Sequence, residues 1–221
     1  MRPKSRYLRS HRLLILWCCL ASVAVFAGYK ARPWSPRAPE TYPARLTSEK
    51  VTIAAEPLIQ DSQAAQVFDK NDMVTAGIMP IAIVIFNDND FPVRVEAATI
   101  EIILSDEHTH TLPPAEVAYG LFKKGKQDVW GVPASRLPTG KIGNADAVRD
   151  FEQKFLSSKV VPAHGKDGGF LYIHPRTSED LATVLANASI YIPDIFREDN
   201  GSKMIFFEFD LKPALDNART K

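Results

Sequence analysis

Cysteine is all but missing from this chain. Of 221 residues only Cys18 and Cys19 are cysteines, adjacent and near the start. Nothing after them can form a disulfide, act as a thiol nucleophile or hold a metal through sulfur. The body must be held by an apolar core, which a segment of about 170 residues can build. Other signatures are missing too. There is no G-x-S-x-G elbow for a serine nucleophile, no phosphate-cradling loop and no dinucleotide fingerprint. HGKDGG (164–169) is glycine-rich, but a strand-like stretch follows it where phosphate would need a helix N-terminus. It reads as a turn.

Charge is balanced overall and unevenly placed. The formal net charge is +1, yet residues 1–12 carry Arg2, Lys4, Arg6, Arg9 and Arg12 with no acid. Residues 51–221 hold 17 Lys/Arg against 24 Asp/Glu, a net −7. An acidic body offers no footprint for nucleic acid. No cofactor or small-molecule substrate is indicated.

One long apolar run is present. Residues 13–29, LLILWCCLASVAVFAGY, are uncharged and directly follow the basic residues 1–12. Positive charge ahead of a short apolar segment is the pattern of export, with the N-terminus kept in the cytoplasm. Two outcomes are open. Cleavage after Ala27, with small residues at Val25 and Ala27, or after Ala24, with Ser22, would release the body. Alternatively the run, at the lower limit for a span, stays as a single-pass membrane helix with Trp17 and Tyr29 at the interfaces. The long basic start favours the uncleaved anchor. Leu16-Trp17 stand where a lipidated cysteine wants small residues, so Cys18 and Cys19 read as apolar filler.

Residues 30–48 carry prolines at 33, 36, 39 and 43 and no apolar period, the composition of an extended spacer. From residue 49 to 221 the pattern becomes strand-like. KVTIAAEPL, MPIAIVIF (79–86), PVRVEAATIEIIL, GGFLYIHP (168–175), ASIYIPDI (188–195) and KMIFFEFDL (203–211) are rich in β-branched and aromatic residues, several with period-two alternation. Asn200-Gly201 marks a turn, so 188–211 is expected as a hairpin. NDNDFP (87–92) is expected to reverse the chain between two neighbouring core strands, its Asx side chains bonding nearby N–H groups. It lacks the glycine and distant glutamate of a calcium loop. Helices are expected from Asn144 or Asp146 to about Ser158, with Val148, Phe151 and Phe155 on one face, and after Ser178.

Many short strands without a β–α rhythm predict an all-β, immunoglobulin-like antiparallel sandwich over 49–221, with a helical insertion at about 114–165. The stretch IVIFNDNDFPVRVEAATIEIIL, through Asn87, Asn89, Phe91, Pro92 and Val93, resembles the immunoglobulin-like water-stress and hypersensitive-response domain (late-embryogenesis-abundant class two). It is similar as well to exported bacterial domains of unknown role. The resemblance implies a sandwich fold and carries no catalytic residues.

Three constellations bear on function. SDEHTH places Asp106, His108 and His110 on one face if extended, a carboxylate–imidazole set that suits zinc, with His164 or His174 as further ligands; in a turn that shared face is lost. Lys123, Lys124 and Lys126 form a basic knot suited to anionic lipid or to solvent. The excursion 114–145 carries Tyr119, Leu121, Phe122, Trp130 and Leu137, where an exposed cluster would form a partner-binding patch. Asn187-Ala-Ser189 and Asn200-Gly-Ser202 fit a glycosylation sequon, discounted because a compact anchor without disulfides points to a bacterial chain. The expectation is a non-enzymatic module tethered to the membrane through residues 13–29 and facing the periplasm or exterior, acting on another envelope protein or in envelope structure. A metal-dependent envelope protein and a stress-protective domain are the alternatives.

Overall fold

The computed structural model describes residues 28–104, 107–109, 111–122, 144–157, 159–175 and 181–219. The described body is mostly β, in three antiparallel sheets. The first has the order β1 (Ala44–Ser48), β2 (Val51–Pro57), β3 (Met79–Asn87), β8 (Gly165–Ile173). The second is β10 (Ile195–Arg197), β4 (Val93–Val95), β7 (Lys159–Val161); the third is β11 (Phe207–Asp210), β9 (Ala188–Ile192), β5 (Glu101–Leu104), β6 (Glu107–Thr109).

Strand β3 is buried along its whole length and explains the layering. Ile81, Ile83 and Ile85 alternate into one core with Val51, Ile53, Leu171, Val93, Ile102, Ile190 and Phe207, residues drawn from all three sheets. Ala82 faces the other way, into a second core with Phe170, Tyr172 and helices. Val84 and Phe86 meet Ala54 and Tyr42 on that same side. A strand with both faces covered must be apolar throughout, which is why IAIVIF shows no alternation.

Helices form the second covering layer. They are α1 (Asp61–Val67), α2 (Pro114–Phe122) and α3 (Ala145–Lys154). Helix α3 starts at Asn144, whose side chain accepts a hydrogen bond from Ala147 N at 3.2 Å, and it buries Ala147, Asp150, Phe151 and Lys154. Two further helices, α4 (Leu181–Ala186) and α5 (Lys212–Arg219), place Leu185, Ala214 and Leu215 in the first core. The helix expected from Asn144 or Asp146 to about Ser158 is present but ends at Lys154, with Phe155 already extended. The one expected after Ser178 is present as α4; α1, α2 and α5 are not among the expected helices, and α1, α4 and α5 lie outside the expected insertion.

The structure corrects two expectations. The first concerns residues 30–48. Residues 44–48 are strand β1, and residues 29–43 lie against the domain as a strap rather than projecting as a spacer. Trp34 packs on Phe170 with ring centroids 4.8 Å apart. Lys166 Nζ donates to Pro36 O at 3.0 Å, Arg37 pairs with Glu56 at 2.8 Å, and Tyr42 is buried beside Phe86. Proline disfavours strand and α-helix here but not apolar docking, and one fully buried aromatic contributes about 2–3 kcal/mol.

The second concerns NDNDFP. It does not reverse the chain into a neighbouring strand: β3 pairs with β2 and β8, whereas β4 pairs with β10 and β7. The knot carries the chain from one sheet to the next. Asn87 is fully buried, and its Nδ2 faces Phe91 O at 2.8 Å, Pro162 O at 3.0 Å and Val161 O at 3.3 Å. Its Oδ1 accepts from Asn89 N at 3.1 Å, the Asx turn. Asn89 Nδ2 donates to Glu49 O and Asp88 N to Lys50 O. Glu49 and Lys50 both have positive φ (46° and 57°), so this tight β1–β2 turn is built from side chains that disfavour it. The two bonds satisfy its carbonyls. VRVEAATIEIIL also splits: a 3₁₀ turn at Ala97–Thr99 separates β4 from β5, which lie in different sheets.

The pairing expected over 188–211 is present as β9 with β11, Ile192 opposite Phe207. Between them β10 leaves to join β4, and a small turn closes at Asn200-Gly201, where Gly201 has φ 69° and donates to Arg197 O. No helix among the described residues is long and apolar enough to cross a membrane. The membrane helix expected at 13–29 lies, apart from Gly28 and Tyr29, outside the described residues.

Candidate functional site

The residues singled out for metal binding do not converge where they are described. His108 sits on β6, and its Nδ1 lies 2.5 Å from Glu101 Oε2 on the neighbouring strand β5. His164, in the β7–β8 turn, pairs with Asp90 at 3.0 Å, and His174 Nδ1 lies 2.6 Å from Gly77 O. The three imidazoles thus serve three separate contacts. Asp106 and His110 fall outside the described residues, and no group of three or more His, Cys, Asp or Glu able to hold a metal is found among those described.

The expected partner patch is partly absorbed by packing. Leu121 is buried with Val117 and Ala118 against the helical core. Phe122 is half-buried, edge-on to Tyr29 at 5.8 Å with Lys70 Nζ 5.4 Å from its ring. Tyr119 is half-buried as well. Trp130, Leu137 and the basic knot Lys123, Lys124 and Lys126 lie outside the described residues.

A different surface stands out on the third sheet. Its inward residues Ile102, Ala188, Ile190, Ile192 and Phe207 fill the first core. Its outward row is set by register: Tyr191 is flanked by Glu101 on β5 and Glu208 on β11, and Ser189 by Ile103 and Asp210. Phe206 precedes β11 on this side. It is 55% exposed, with its ring 6.0 Å from Tyr191. An aromatic pair therefore lies on a sheet face beside three carboxylates, of which Glu101 also meets His108. The pattern was visible in KMIFFEFDL, whose alternation puts Phe206 on the same side as Glu208.

The most elaborate polar arrangement is buried and lies where the strap begins. Asp150 and Lys154, one turn apart on α3, are 4% and 9% exposed. Lys154 Nζ donates to both Asp150 oxygens at 2.6 and 2.7 Å and to Val67 O at 2.9 Å. The Tyr29 hydroxyl donates to Asp150 Oδ2 at 2.6 Å and accepts from Asp69 N at 3.3 Å. Phe68, Phe151 and Tyr172 wall the cluster, with Lys154 Nζ 5.1 Å from the Phe68 ring. Burial raises the Tyr29 phenol far above its usual range, and the Asp150 hydrogen bond and charge push it the same way. Burial lowers the Lys154 ammonium, with Asp150 opposing that shift. The ammonium uses all three hydrogens and the phenol both donates and accepts. With its donors spent internally, this cluster holds the strap to α1 and α3 rather than presenting a reactive group.

Comparison with known proteins yields no matching family model and no matching curated protein. Among solved structures, the fold is similar to the yjhA protein of Bacillus subtilis, at 6% identity and TM-score 0.36 over 67% of this chain and 78% of that one. It is similar also to a candidate lipoprotein of Bacillus subtilis, ycdA, at 10% identity and TM-score 0.38 over 79% of this chain. The match spans 41% of the ycdA chain.

Proposed function

We propose that this protein is an exported, non-enzymatic, immunoglobulin-like module that binds a basic, partly apolar segment of another envelope protein on the outer face of its third sheet. Export rests on the basic start followed by the apolar run at 13–29. The sandwich reading is supported by the core that one face of the first sheet shares with the other two. Fold alone does not assign activity, so the binding role rests on a surface feature. That feature is the Tyr191–Phe206 pair, an exposed Phe206 ring beside a half-buried Tyr191, among Glu101, Glu208 and Asp210. An exposed aromatic contributes little to a monomer's stability, whereas aromatics are favoured anchors in interfaces. The surrounding carboxylates and the net −7 of residues 51–221 favour a basic partner.

The test is site-specific photo-crosslinking in the native envelope. A photoreactive residue at position 206 is compared with one at Glu152, an exposed residue of α3. The expected result is a discrete adduct from position 206 that weakens with salt and disappears with Glu208→Lys. Identical background from the two positions would sink the proposal.

A further inference from the structure

We infer that the chain is cut between Ala27 and Gly28, and that the exported domain begins at Gly28 with its strap docked. The inference rests on the export reading and settles what the sequence leaves open between anchor and signal. The observation that carries it is the placement of Tyr29. In the anchored form this tyrosine would close the apolar run at the membrane interface. Instead it is 8% exposed, donates to Asp150 at 2.6 Å, and lies edge-on to Phe122. The next residue is fixed as well, since Lys30 N donates to Asp69 Oδ2 at 2.8 Å. A side chain held inside the domain is not available to the bilayer.

Docking therefore shortens the run. Residues 13–27 remain, a stretch that as a helix would reach about 22 Å at 1.5 Å per residue, against about 30 Å of hydrocarbon. The same length suits the apolar region of a cleavable signal, which runs about 7–15 residues. Val25 and Ala27 supply the small residues such a site needs, third and first before a cut ahead of Gly28. Gly28 is exposed, and a Cβ built on it meets nothing within 4 Å, so the new terminus stands free in solvent. A cut after Ala24 would instead leave Val25-Phe26-Ala27 as an apolar overhang. The strap accordingly serves as the domain's N-terminal covering and not as its tether.

The test uses the full chain with a C-terminal tag, produced in a bacterial host. Intact mass and N-terminal sequencing are read together with protease accessibility in spheroplasts. The expected product begins at Gly28, has lost the mass of residues 1–27, and is recovered without detergent. Ala27→Phe is expected to abolish that product and leave the long form in the membrane fraction, with an unchanged urea midpoint for the body. An accessible protein that retains residues 1–27, or that starts at any other residue, overturns the inference while export stands. An uncut, inaccessible protein overturns both. Cutting of Ala27→Phe at the same bond overturns the assignment of the recognition residues.

Discussion

Replacing Lys154 by methionine keeps the apolar stem of the side chain and deletes its charge. In the parent, Nζ donates to both oxygens of Asp150 and to Val67 O, all within 2.9 Å. In the variant the Asp150 carboxylate, 4% exposed, keeps the Tyr29 hydroxyl as a donor but loses its counter-charge, and Val67 O loses its donor. Breaking one side of a buried ion pair costs about 3–5 kcal/mol. At about 2–4 °C per kcal/mol for a domain of this size, Tm should fall by roughly 6–20 °C. Urea unfolding followed by far-ultraviolet circular dichroism measures the loss as a lower midpoint at unchanged slope. The double variant Asp150→Leu with Lys154→Met removes both charges and should regain most of the loss. It should stop about 1 kcal/mol short, because the Tyr29 hydroxyl then lacks its acceptor. A single variant within 1 kcal/mol of the parent, or a double variant no better than the single, would refute the desolvated pair.

Three further outcomes follow from features elsewhere. Asn87→Asp puts a carboxylate where an amide faces three carbonyl oxygens, and should cost about 3 kcal/mol or more in the same urea assay, whereas a loss below 1 kcal/mol would remove the knot from the stability argument. Gly168→Ala places a Cβ 2.5 Å from Ile83 O and 3.4 Å from the Trp34 ring, so it should destabilise by about 1–3 kcal/mol and change Trp fluorescence; an unchanged midpoint counts against the close crossing. The phenols of Tyr29 and Tyr172 are held above their ordinary 10.0, chiefly by burial and then by Asp150. The folded state thus keeps two protons that the unfolded chain releases near pH 10, so their stabilising contribution is complete below that pH and is lost above it. Ultraviolet titration should show two phenols that ionise only as the fold is lost, and free ionisation of every tyrosine in the intact fold would contradict their placement.

The sequence was most legible where local chemistry and burial agree. Asn144 announced the start of α3, β3 was readable as a continuous apolar run, and Asn200-Gly201 marked its turn. Period-two alternation, by contrast, cannot say which sheet a strand joins. VRVEAATIEIIL alternates almost without interruption, yet Ala97–Thr99 turn the chain from one sheet to another. Helix α1 buries only Ala64, so it carries no apolar stripe to find. Asp150 and Lys154 read in isolation as an ordinary surface pair four residues apart on a helix. Only the aromatics contributed by distant segments, Phe68 and Tyr172, turn that pair inward. Proline spacing in 30–43 disfavours strand and α-helix, leaving one 3₁₀ turn at Pro39–Thr41, but cannot reveal that Trp34 and Tyr42 find a surface to cover. Of the candidate face, Phe206 and Glu208 were legible as a shared side, whereas Glu101 and Tyr191 needed the register.

On the proposed export route, the strap sets an order of events. Tyr29 and Trp34 emerge first, but their partners Asp150 and Phe170 follow more than a hundred residues later. Until then the leading segment waits unfolded beside newly delivered, strand-forming chain. Prolines at 33, 36, 39 and 43 interrupt the backbone donors that a premature strand would use. A segment rich in proline can keep its aromatic side chains available while declining to join the wrong sheet. Its composition fits the waiting as well as the docking.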